Sequence, residues 1–193
     1  MLRRIAAVST AGVLSLLSFA CAEPPSTEMN RAQGAIDAAR AAGAEQYATT
    51  EYAAATTALQ NANNAVAAGD YRLALNYALE SHDHAQNAAR NAADTKARTR
   101  AEVERAIPET HARIVRARAR IATAVRAGVQ RLLFAGPSGE LDAAEQDLQK
   151  AGEAGSSGEY LKAMDAVATV REKVEKAMAA INAVRGSPPR RRR

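Results

Sequence analysis

The sequence predicts an all-α protein, an elongated antiparallel helical bundle built from duplicated helical hairpins. Three observations predict it. About a quarter of the 193 residues are alanine, the residue of highest helix propensity. Apolar residues recur at alternating spacings of three and four, which are heptad seams. The chain also matches itself at an offset of 89, which sets GDYRLALNYA from Gly69 over GEYLKAMDAV from Gly158. Aromatic residues make up only 4% and tryptophan is absent, so the hydrophobic core is expected to be thin.

Residues 1–20 read as a signal peptide. Arg3 and Arg4 precede an apolar run from Ile5 to Phe19, which is shorter than the roughly 20 residues of a membrane-spanning helix. The run ends at Cys21, the single cysteine, where a bacterial lipoprotein is acylated and cleaved. The preceding positions hold Ser18, Phe19 and Ala20; only Ala20 fits a lipoprotein box well. Because Ser18-Phe19-Ala20 also resembles an ordinary small-x-small cleavage site, a soluble secreted product is the rival reading. Residues 21–28 form the expected lipid-anchored tether, since Pro24 and Pro25 among polar residues favour an extended chain. Ala22 after the cysteine matches the pattern that sorts Gram-negative lipoproteins to the outer membrane. A lone cysteine allows no internal disulfide.

Residues 29–106 are expected to form the first helical hairpin region. Tyr52, Ala55, Leu59 and Ala62 lie along one seam, and Tyr71, Ala74, Ala78, Ala85, Ala88 and Ala92 along the other. Between them Gly69 can adopt the left-handed conformation that ends a helix, and Asp70 can cap the next. Residues 107–135 are expected to be a connecting amphipathic helix: Ile107, Ile114 and Ile121 recur every seventh residue, with Val125 and Leu132 near the same stripe. Gly136-Pro137-Ser138-Gly139 is expected to end it. Pro108 either opens this helix at its first turn or kinks a longer continuous one. Residues 139–185 repeat the hairpin, with Leu141, Ala144, Leu148 and Ala151 facing Tyr160, Ala163, Val167, Val174, Ala177 and Ile181 across a looser turn at Gly155-Ser156-Ser157-Gly158. Residues 186–193 are a basic tail expected to be disordered, since Pro188 and Pro189 stop helix continuation.

The formal charge of +5 is misleading as a guide to function. Arg3, Arg4 and the four terminal arginines carry more than all of it, leaving a body near −1. A nucleic-acid-binding protein spreads basic surface over its fold, so this partner class is not expected. The one basic stretch of the body runs from Thr110 to Gly139, where no acid occurs. There Arg113, Arg116 and Arg120 share a helical face. Together with Arg190, Arg191, Arg192 and Arg193 they are the candidate contacts to anionic material such as lipid head groups, lipopolysaccharide or cell-wall polymer. The competing expectation for the body arginines is pairing with Glu140, Asp142, Glu145 and Asp147 of the next helix.

The stretch AAGAEQYATTEYAAATTALQNANNAVAAGDYRLALNYALESHDHAQNA resembles the alanine-rich bacterial envelope proteins catalogued as domain of unknown function 4398. Ala44, Tyr47, Ala48, Glu51, Ala58, Leu59, Ala62, Gly69, Asp70, Tyr71, Ala74, Ala78 and Ala85 fit its pattern of a tyrosine-alanine start, an alanine-leucine helix and a glycine-aspartate-tyrosine turn. The resemblance covers roughly Met29 to Ala97. It implies a periplasmic, often lipid-anchored helical protein, in some relatives joined to a peptidoglycan-binding domain; here a basic tail follows the second hairpin instead. It implies no activity. GDYRLALNYA also bears a superficial likeness to tetratricopeptide repeats, but the offset of 89 does not match a regular ~34-residue period.

No catalytic, metal or cofactor site is expected. His82 and His84 are two apart and so point to nearly opposite helix faces, unlike the i, i+4 pairs that share a ligand. His111 is isolated beside the isoleucine stripe. No serine, histidine and acid stand in a nucleophile-elbow context. The expected function is therefore a non-enzymatic, lipid-anchored scaffold or binding protein on the periplasmic face of the outer membrane. Its expected partners are the membrane itself and an envelope protein, peptidoglycan or lipopolysaccharide. The alternative is a soluble secreted adaptor that binds another envelope protein along its heptad seams.

Overall fold

A computed structural model describes residues 23–186. One helix organises everything else: α4, Tyr71–Arg126, 56 residues long and therefore about 84 Å from end to end. Before it come α1 (Ser26–Ala41), the short α2 (Ala44–Tyr47) and α3 (Thr49–Ala67); after it come a 3₁₀ turn (Arg131–Phe134), α5 (Ala135–Ser156) and α6 (Tyr160–Gly186). All regular structure among the described residues is helical, so the chain is all-α.

The N-terminal half of α4 is covered by α1 and α3. Ile36 of α1 meets Ala55 of α3 and Ala85 of α4, while Ala39 and Ala44 meet Ala88 and Ala92. Rising numbers on α1 thus meet rising numbers on α4, and the two run parallel. α3 runs antiparallel, and the buried Ser81 hydroxyl donates to the Ala55 carbonyl across the seam at 2.8 Å. The C-terminal half of α4 is covered by α5, antiparallel, and α6, parallel. Ile114, Ala117, Phe134, Leu141, Leu148, Val167, Val174 and Ile181 fill this second and larger core.

The two hairpin turns are built alike. Gly69 (φ 76°) and Gly158 (φ 86°) take the left-handed conformation. In the first, Gly69 N–H donates to the Val66 carbonyl and Asp70 N–H to Ala65; in the second, Gly158 N–H donates to Gly155 and Glu159 N–H to Ala154. Both close helix ends by the same pair of backbone bonds. The Asp70 carboxylate also accepts from Leu73 N–H at 2.9 Å, an N-terminal cap. The offset of 89 carries buried positions onto buried positions: Ala74 onto Ala163, Ala78 onto Val167, Ala85 onto Val174, Ala92 onto Ile181.

Four local expectations are corrected. Residues 26–28 of the tether are the first residues of α1, because a helix can begin directly after a proline. Residues 107–126 are not a separate connecting helix: α4 passes through Pro108 without a break. Packing on both sides compensates the lost hydrogen bond, with Val103 and Ile114 buried and the buried Thr110 hydroxyl donating to the Ala106 carbonyl at 2.7 Å. The helix ends at Gly128 (φ 95°) instead of at Gly136-Pro137-Ser138-Gly139, which lies inside the first turn and a half of α5. Pro137 is tolerated there because the N–H groups of a first helical turn have no intrahelical acceptor. Finally, Leu132 leaves the apolar stripe. The turn at Gly128 resets the helical phase, so Phe134 is buried in its place while Leu132 stands 81% exposed.

Candidate functional site

The basic stretch of α4 divides into paired and unpaired arginines. Arg118 reaches α5 and clasps both Asp142 and Glu145 at 2.7 Å. Arg113 turns the other way, to Glu175 of α6 at 3.0 Å. Both therefore act as struts between helices, and both stay partly exposed, where an ion pair contributes at most about 1 kcal/mol. Arg116 and Arg120 have no ion pair among the described residues and remain exposed on the outer face. The expected pairing with α5 thus holds for Arg118, whereas Glu140 and Asp147 pair with α6: Glu140 with Lys176 at 3.4 Å, and Asp147 with Lys173 at 2.6 Å. Asp147 also accepts from Lys150 at 2.9 Å. Hydrogen bonds from Lys173 and then Lys150 pull its carboxyl down to about 2, and Asp147 in turn raises the Lys173 ammonium.

A second polar cluster ties the entry helices together. Glu45 receives Arg40 Nε at 3.0 Å and the Tyr52 hydroxyl at 3.0 Å, while Arg40 lies over the Tyr52 ring. The Arg40 guanidinium, followed by the Tyr52 hydroxyl, lowers the Glu45 carboxyl. These contacts join α1, α2 and α3. His82 faces Asp83, His84 faces Glu80 and His111 faces Glu145 at 3.8 Å, so the three histidines lie in separate surroundings. No group of three or more metal-ligating side chains converges among the described residues. Open grooves run between the helices, such as that lined by Ile107, Pro108, His111, Leu148 and Gly152.

The feature that sequence reasoning missed lies at the end of the bundle. Leu132 and the neighbouring Leu133, 54% exposed, project from the 3₁₀ turn between α4 and α5. Arg126 stands one turn before it and Arg131 within it. The available signal was Gly128 eight residues before Gly136, a possible helix stop closer to the leucines. Cys21 and the tail arginines Arg190, Arg191, Arg192 and Arg193 lie outside the described residues. No described helix is long and apolar enough to cross a membrane.

No curated protein and no solved structure matches the chain. A family model matches residues 27–104, which span α1, α2, α3 and the first part of α4 and exclude the arginine stretch and the leucine turn. This matched segment, with its left-handed Gly69 turn and alanine seams, is similar to the family described as domain of unknown function DUF4398.

Proposed function

We propose that this protein is a non-enzymatic scaffold of the bacterial cell envelope, exported and held by a lipid on Cys21 at the periplasmic face of the outer membrane. The observation that carries this reading is the N-terminal order of Arg3-Arg4, an apolar run and Cys21, followed within a few residues by the start of α1. An address of this kind directs a chain into and through the inner membrane, and acylation attaches the product to lipid. A helix of about 84 Å supports a spacer or binding role, because a long, narrow bundle offers outer surface at a distance from its anchor. The soluble adaptor remains the second reading, favoured by the small-x-small cleavage pattern at Ser18-Phe19-Ala20.

The mass of the N-terminal peptide of the mature protein from its native host tests both readings. A diacylglyceryl adduct on Cys21, with loss of membrane retention in Cys21→Ala, is the expected result. An unmodified start near Cys21 or Glu23 establishes the soluble adaptor instead. Recovery of the chain with its leader intact in the cytoplasm overturns both.

A further inference from the structure

We propose that the turn between α4 and α5 is a membrane-contacting tip that inserts Leu132 and Leu133 into the surface of an anionic phospholipid bilayer. Leu132 is 81% and Leu133 54% exposed, and they are adjacent, while the next residue, Phe134, is fully buried and fastens the turn to the core. The apolar pair is thus presented on a firm base and not on a loose loop. Its surroundings are cationic. Arg126 and Arg131 flank it along the chain, and Arg185 in the last turn of α6 reaches the same end of the bundle, where Val184, Val129 and Phe134 join one cluster. No acid occurs from Thr110 to Gly139 or from Lys176 onward. The nearest acids on α5, Glu140 and Asp142, are held by Lys176 and Arg118.

Projecting leucines with arginines at the same end of the bundle match the two layers of a bilayer surface, phosphates outside and acyl chains beneath. A nucleic acid has phosphates to offer but no apolar layer for the leucines. Two side chains on a convex turn are far too small a patch for a stable protein interface, which needs roughly 800 Å² on each partner. The proposal rests on the tip alone and holds whichever way the N-terminus is processed. Because α1 runs parallel to α4, the chain enters at the Gly69 end of the first half, and the tip lies at the other end of α4.

The absence of tryptophan makes a direct test possible. Leu132→Trp in the mature chain carrying Cys21→Ala, which removes the acyl anchor, places a single reporter at the tip, and Leu161→Trp in the same background places one at the turn beside the middle of α4. With vesicles of phosphatidylglycerol and phosphatidylcholine, Leu132→Trp emission is expected to shift to shorter wavelength and Leu161→Trp emission to stay unchanged. The shift should weaken as salt rises and vanish with phosphatidylcholine alone. Adding Leu133→Asn should weaken the apparent vesicle affinity at least about tenfold, as loss of a buried leucine requires. An unshifted Leu132→Trp emission overturns the proposal, as does an equal shift in both variants or a shift without vesicles that grows with protein concentration, the mark of self-association.

Discussion

Asp147 shows at the scale of one residue how this bundle uses charge. Its carboxylate, about one-third exposed, takes one bond from Lys150 on its own helix and one from Lys173 on α6, so it both decorates α5 and ties it to its neighbour. A group whose pKa is depressed on folding, here from 3.8 to about 2, contributes stability above its ordinary pKa and loses it as the pH falls through the depressed value. Asp147→Asn is therefore expected to unfold at lower urea than the parent protein at pH 7. The gap should narrow from about pH 4 downward and close near pH 2. A gap that is the same at both ends of this range contradicts the assignment. Solvent screening keeps the effect modest. The same logic separates the arginines: Arg113 and Arg118 are committed to carboxylates on neighbouring helices, while Arg116 and Arg120 stay available.

At the scale of the element, the glycines sort by backbone conformation. Gly69 and Gly158 hold φ of 76° and 86°, in the left-handed region that costs a residue with a Cβ about 1–2 kcal/mol. Gly34 lies on the exposed side of α1, with nothing within 4 Å of the position a Cβ would take. Gly69→Ala and Gly158→Ala should each destabilise by about 1 kcal/mol, whereas Gly34→Ala should stabilise by roughly 0.5–1 kcal/mol. Denaturant unfolding of the three variants checks this, and a uniform sign across them refutes it. The hairpin turns were legible in the sequence for this reason: a glycine followed by an acid, between seams of opposite register, specifies a local backbone solution. The end of α4 was harder to read, since Gly128 and Gly136 are both acceptable stops and only the fit of Phe134 into the core selects the first.

Across the whole molecule, the two halves that α4 joins differ in how they are held. In the N-terminal half the fully buried apolar residues are alanines, with Ile36 the exception among the described residues. In the C-terminal half they include Ile114, Phe134, Leu141, Val167, Val170, Val174 and Ile181, each contributing about 1.5–3 kcal/mol on burial. An alanine methyl removes far less apolar surface from water, so the N-terminal half depends more on close backbone approach and helix propensity. Hydrogen exchange under native conditions should therefore show faster exchange along α3 than along α6, with α4 graded from its N-terminal to its C-terminal half. Equal protection in both hairpins is inconsistent with this distribution of stability.

The sequence by itself determined the helical class, the paired seams and the two glycine-acid turns, because propensity, periodicity and turn chemistry act over a few residues and each pointed to the same hairpins. The separation of paired from unpaired arginines, the uninterrupted passage of α4 through Pro108 and the exposure of Leu132 were decided only by tertiary structure. Each depends on what packs against the segment. A proline in a helix is tolerated when neighbours on both sides hold the helix together, an arginine finds its carboxylate only once another helix is docked beside it, and a leucine faces water when the next residue but one, Phe134, takes the place in the core.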